Sequence, residues 1–245
     1  TFTTYTTGDI ITDGTATDND TLTVTTTDDI AATPVVSGIE NVNFVLTSVG
    51  AGATVPATFA IDSANINATT LTASATNAAT VVTTVALTNV KTGVTVVSDI
   101  ATVNVATVAD ADTTVNATGA TQTVVQSGTT DTLAITGGNL TVNDVTAEEA
   151  ITITATGTVS MTDATANAAA TDVAISITAD GDVTVADVTD TGSLTVVSGG
   201  DIVVGGTDLF SDGVVTLTTT AGDITVTDAD DATSLVINAV GAGPA

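Results

Sequence analysis

Apolar and polar positions alternate in short runs along most of this chain, and the runs come in pairs. In residues 150–154, Ile151 and Ile153 fall on one side and Thr152 and Thr154 on the other. After Gly157 the alternation resumes with Val159 and Met161. The same pairing recurs as Ile175 and Ile177 with Val183 and Val185, and as Val215 and Leu217 with Ile224 and Val226. A period of two over four or five residues predicts half-buried strands. No helical period competes with it, and Thr, Asn and Gly all weaken helices.

The pairs are organised by a Gly-led segment that returns at nearly even intervals. Its copies read GNLTVND (138–144), GTVSMTD (157–163), GDVTVAD (181–187), GDIVVGG (200–206) and GDITVTD (222–228). Their first glycines are separated by 19, 24, 19 and 22 residues, with Gly119 and Gly241 each 19 beyond the outer copies. A fixed short period marks a chain that stacks one unit on itself. Two strands and two turns per unit, repeated in one direction, predict an all-β, right-handed parallel β-solenoid (β-helix) with about 20 residues per coil. Inward Val, Ile and Leu would stack into a dry column while Thr faces water. Insertions would lodge in loops such as Ala166–Thr171.

Before Gly119 the alternation continues through 81–85, 94–97 and 103–108, with a turn at Lys91-Thr92-Gly93. The solenoid is therefore expected over 58–245. A β segment with acidic loops would precede it at 1–57, with the Gly-rich stretch Ser48–Pro56 as linker. The alternative is one solenoid from end to end. The opening TFTTYTTGD, without Met, suggests a processed product or a piece of a longer chain.

Composition narrows the function. Of 245 residues, 43% are apolar, which removes disorder as a reading. Lys91 is the single cation against 28 carboxylates, and the net charge is −27. Such a chain repels nucleic acid and anionic membrane surfaces. No apolar stretch reaches the roughly 20 residues of a membrane helix. Without His, Cys or Arg, the usual bases, nucleophiles and anion clamps are missing, which argues against an enzyme.

Aligned at their glycines, the copies place acidic residues in two columns. The first holds Asn139, Thr158, Asp182, Asp201 and Asp223; the second holds Asp144, Asp163, Asp187, Asp208 and Asp228. Neighbours in a column would lie one coil apart, about 4.8 Å, where two unit charges repel by about 1 kcal/mol even in water. Either the side chains splay into solvent or a cation sits among them. Ca²⁺ suits an all-oxygen donor set in irregular loops, whereas Zn²⁺ would want His or Cys. The densest acidic stretch is GDIITDGTATDND, with Asp9, Asp13, Asp18 and Asp20. Further candidates are Asp28-Asp29, Asp110 with Asp112, and Asp228 with Asp230 and Asp231. Taken singly, each Asp is better explained as an ordinary turn residue and each glycine as a turn former, whereas the aspartates as a set point to ion binding because no cation in the chain offsets them.

The stretches Asp20-Thr21-Leu22-Thr23-Val24 and Ser37-Gly38-Ile39-Glu40-Asn41-Val42-Asn43-Phe44 resemble strands of bacterial surface-layer proteins of the calcium-dependent, RTX-related kind. The glycine-rich nonapeptide of that family is not present; Gly205-Gly206-Thr207-Asp208-Leu209 comes nearest. The Gly-Asp-Ile repeats also look like coils of filamentous haemagglutinin-type adhesins. The resemblance implies a secreted, self-assembling cell-surface coat protein that needs Ca²⁺ for order. Its expected partners are further copies of itself and a cell-surface polysaccharide. The competing reading is the shaft of a secreted adhesin or phage fibre, with no lattice role.

Overall fold

The computed structural model describes residues 8–15, 17–26, 35–47, 58–76, 84–127, 130–166, 174–190, 192–206, 210–211, 213–227 and 232–240. Among them every regular element is a strand and every strand pairing is parallel. Over much of the chain pairing skips the element that comes next. Thr58–Asp62 pairs with Thr84–Val90, while Thr70–Thr76, which lies between them in the chain, pairs with Val94–Ser98. Only a chain that circles and returns above itself produces that pattern, so the fold is a parallel β-solenoid with roughly 20 residues per turn.

The strand register reproduces the glycine spacing. One inner column runs Phe59, Val85, Val103, Val124, Val142, Met161, Val185, Val204, Val226. Its last four steps follow the glycine steps of 19, 24, 19 and 22. A second column runs Leu22, Val42, Leu71, Val96, Val115, Ile135, and a third runs Ile153, Ile177, Val196, Leu217, Ile237. Nearly all of these side chains are fully buried, each contributing about 1.5–3 kcal/mol of hydrophobic stabilisation. Short branched residues fill the narrow interior, and two rings, Phe44 and Phe59, are buried near its first coils.

Of the N-terminal strands, Ile10–Thr12 and Val35–Ser37 pair with each other in a two-stranded sheet, and the other two belong to the main ladder. Thr21–Thr26 pairs with Asn41–Thr47, which pairs in turn with Thr70–Thr76. The expected linker at 48–56 lies outside the described residues, as does the expected loop after Ala166, where strand Val159–Ala166 ends. The turn at Lys91-Thr92-Gly93 is present, with Gly93 at φ 74°.

Thr and Asn on the outer surface tie coil to coil. Thr136 Oγ1 donates to Asn116 Oδ1 at 2.6 Å, Thr162 Oγ1 to Asn143 Oδ1 at 2.6 Å, and Thr132 Oγ1 to Asp112 Oδ1 at 2.6 Å. Two buried glutamines supply what apolar columns lack. Gln122 donates to the carbonyls of Ser98 and Ile100 at 2.9 and 2.7 Å and accepts from Gly119 N–H, while Gln126 accepts from Thr146 N–H at 2.8 Å. Each closes off backbone groups at a corner that would otherwise be buried unpaired.

Candidate metal centre

The first acidic column resolves into a hydrogen-bonded ladder. Asn139 Oδ1 accepts the backbone N–H of Thr158 at 2.9 Å, Asp182 Oδ1 that of Asp201 at 2.9 Å, and Asp201 Oδ1 that of Asp223 at 2.8 Å. Each side chain thus folds over the turn of the following coil. This explains the glycines before Thr158, Asp201 and Asp223. A Cβ on Gly157, Gly200 or Gly222 would collide with the Oδ1 of Asn139, Asp182 or Asp201. The Gly-Asp pair is one device: Asp reaches forward, and the next glycine leaves room for it. Backbone amides, a third possibility beside splaying and a cation, therefore meet these exposed carboxylates.

A mutant cycle tests the device. Gly200→Ala is expected to cost about 1–3 kcal/mol by expelling the Asp182 carboxylate. Asp182→Ala should cost about 1 kcal/mol. The double variant should be less damaged than the sum, by about 1 kcal/mol or more in urea unfolding. Strict additivity would contradict the device.

The second column is a row of corners. Asp144, Asp163 and Asp187 stand at equivalent positions of successive coils and adopt positive φ of 50°, 53° and 50°. Asp and Asn tolerate this left-handed conformation better than most residues, so the backbone accounts for their identity. Gly206, at φ 150°, abuts Asp187, because its own Cβ would press on the Asp187 N and Oδ1 at 2.7 Å each. Asp208, like Asp228, Asp28-Asp29, Asp230 and Asp231, lies outside the described residues.

Two groups of carboxylates do converge. Asp13, Asp18 and Asp20 each bring an oxygen within 4.8 Å of the others. The loop that gathers them is locally braced. Thr15 N–H and Oγ1 donate to Asp13 Oδ2 at 2.8 and 2.6 Å, and Thr15 Oγ1 also reaches Asp18 Oδ2 at 2.6 Å. Asn19 turns the chain at φ 66° and its Oδ1 accepts from Asn41 Nδ2 at 3.0 Å. Asp20 N–H donates to Glu40 Oε2 at 2.9 Å, which brings a fourth carboxylate to the edge. Asp9 contributes its main-chain carbonyl to Val35 at 3.1 Å and is not one of the three.

Electrostatics separate these carboxyls. The charge of Asp18, then partial burial, then the charges of Asp13 and Glu40 push Asp20 above its ordinary 3.8. Hydrogen bonds from Thr15 hold Asp13 below it. The single lysine offers no relief, since Lys91 Nζ donates to the Ile66 carbonyl at 3.1 Å and to Asn67 Oδ1 at 2.6 Å.

The second group is Asp110, Asp131 and Glu148, again with oxygens within 4.8 Å. Asp110 pairs here with residues of following coils and not with Asp112, whose carboxylate accepts from Thr132. Asp131 is placed by its N–H bond to the Ala111 carbonyl at 3.2 Å. Glu148 escaped sequence reading because it belongs to neither Asp column. A separation near one coil length from Asp131 was the available signal.

Both groups fit a hard divalent cation. Ca²⁺–oxygen bonds of about 2.4 Å place opposite ligands no more than about 4.8 Å apart, and only oxygen donors are present. Either set could supply three carboxylate ligands, leaving further positions to carbonyls or water. The chain matches no protein-family model, no curated protein and no solved structure.

Proposed function

We propose that this chain is a non-catalytic structural subunit of a self-assembling extracellular surface layer or filament, ordered by Ca²⁺ held in its acidic loops. The observation that carries the reading is the convergence of Asp13, Asp18 and Asp20 on a chain whose single lysine, among the described residues, engages a carbonyl and an amide instead of a carboxylate. The countercharge must then come from solution. A rod of stacked coils supports a building role, because its length and its regular outer rows suit repeated contacts. When bound, Ca²⁺ would supply positive charge shared between carboxylates. The chain's part is to hold Asp18 and Asp13 through Thr15, and to keep Asp20 beside them.

Calorimetric titration with Ca²⁺ tests the reading. The open loops predict a Kd of about 10⁻⁴–10⁻³ M, as in extracellular calcium modules. Asp20→Asn should weaken binding about tenfold, and acidification should do the same in a defined window. Because Asp20 titrates above 3.8, affinity should start to fall before ordinary aspartates protonate, with proton release on binding. Without Ca²⁺ the sign reverses for this group. Its raised value means that its contribution to stability is present at low pH and lost as pH rises through that value. Asp13, held low, contributes above the ordinary value and loses its contribution only at lower pH. Binding indifferent to Asp20→Asn and to pH would refute the assignment of the loop.

A further inference from the structure

One outer column of the solenoid is built from threonine. On successive coils of one parallel sheet it runs Thr58, Thr84, Thr102, Thr123 and Thr141. It continues through Ser160 and Thr184, then Val203 and Thr225. Every position in it is half-buried or exposed. Elsewhere on the surface hydroxyls are answered by the adjoining coil, as Thr136 is by Asn116 and Thr162 by Asn143. Among the described residues, no hydroxyl of this column bonds to another protein group. They are left to water.

The column is also uncharged. So is the outward column beside it, which runs from Ala60 and Ala86 through Asn104, Val125 and Asn143 to Ala186. Together they make a strip of methyls, hydroxyls and amides on a chain with 28 carboxylates. A charged ligand finds no counter-ion on this strip, and a sugar finds no aromatic ring to lie against. What the strip offers is repetition. Coils recur about every 4.8 Å, and alternate residues along a strand lie about 6.6 Å apart. The branched Cβ holds each Thr to few rotamers, so hydroxyl and methyl recur with little freedom. Water oxygens on the prism faces of hexagonal ice recur at comparable distances in two directions. Waters bonded to successive hydroxyls thus take up positions that an ice lattice can continue.

We propose that the threonine column and its uncharged neighbour form an ice-binding surface. The hydroxyls anchor a first layer of water, and the methyls of Thr, Ala and Val keep that layer from closing over the protein. The lack of charge matters, because an ionised group orders water around itself in an arrangement foreign to ice. The strip lies along the side of the solenoid, so it depends on neither end of the chain. It needs no Ca²⁺ and stands apart from the assembly reading.

Thermal hysteresis of the whole chain in chelator tests the proposal, measured as the gap between melting and freezing of a seeded ice crystal. The expected result is a gap well above that of serum albumin at equal mass, with faceted crystals. Thr184→Tyr, at an exposed step of the column, should lose the gap by lifting the strip off the ice. Thr123→Tyr should do the same from the middle of the column. Thr178→Tyr, at an exposed position on strand Ala174–Ala179 of another sheet, should keep it. Circular dichroism confirms that each variant keeps its strands. A gap no larger than that of albumin, or equal loss in Thr178→Tyr and Thr184→Tyr, would overturn the proposal. Loss of Ca²⁺-driven arrays in Thr184→Tyr with no effect on ice would assign the column to contacts between copies, and also overturn it. Hysteresis in a chain that never assembles with Ca²⁺ would leave the ice surface standing and remove only the calcium-ordered assembly.

Discussion

Val185→Asp is expected to unfold the central coils, with a loss of at least about 5 kcal/mol, at the extreme of single substitutions. Val185 is fully buried and stacks between Met161 below and Val204 above, both fully buried. The variant loses about 2 kcal/mol of apolar burial and forces a lone carboxyl into a column with no donor or cation to meet it. Since the total stability of a domain is about 5–15 kcal/mol, the substitution consumes much of it. In a solenoid each coil rests only on its neighbours, so damage at one level releases those beyond it. Limited proteolysis should cut first between Val185 and the C-terminal strands. Burial raises the carboxyl's pKa, so the deficit should shrink as pH falls toward the ordinary carboxylate range and grow as pH rises. Val203→Asp, on the outward face of the adjoining coil, should change stability by less than about 0.5 kcal/mol. Equal damage from the two would show that the column is not a dry core.

Gly199→Ala is the second large effect, expected to cost about 3 kcal/mol through overpacking. A Cβ there would strike the carbonyl oxygen and carbon of Asp180 in the preceding coil, where Gly199 N–H already donates to the Ala179 carbonyl at 2.9 Å. The obstacle is backbone, so no side-chain truncation can relieve it. That distinguishes Gly199 from Gly200, whose obstacle is the Asp182 side chain. Gly8→Ala meets nothing within 4 Å and should be neutral or slightly stabilising in thermal unfolding. A Gly199→Ala protein as stable as the parent would mean that adjacent turns do not approach as closely as described.

Much of this fold was legible in the alternation of apolar residues. Ile151 and Ile153, Val159 and Met161, and Val183 and Val185 all face the core, because a pleated strand turns alternate side chains to opposite faces and a dry column accepts only one kind. The spacing of glycines gave the coil length because those glycines are fixed by contact with the coil below. The site was legible only in part. Asp13, Asp18 and Asp20 lie within one loop, so their convergence follows from nearness in the chain. Asp110, Asp131 and Glu148 come from different coils, and their meeting depends on how each corner turns, which periodicity does not encode. The Asp182–Asp201–Asp223 column was visible as a row. Its reason was not, since the amide donors that answer those carboxylates are the same in every residue. Gln122 and Gln126 drew no notice, although polar residues in an alternating apolar register were the available sign.

Electron microscopy of the purified chain through a cycle of Ca²⁺ addition, chelation and re-addition asks most directly whether a divalent cation organises this acidic rod. Ordered sheets or filaments should form with Ca²⁺, fall apart to small particles in chelator, and return when the ion is restored. Arrays that persist unchanged in chelator, or particles that stay dispersed at every Ca²⁺ concentration, would contradict the account.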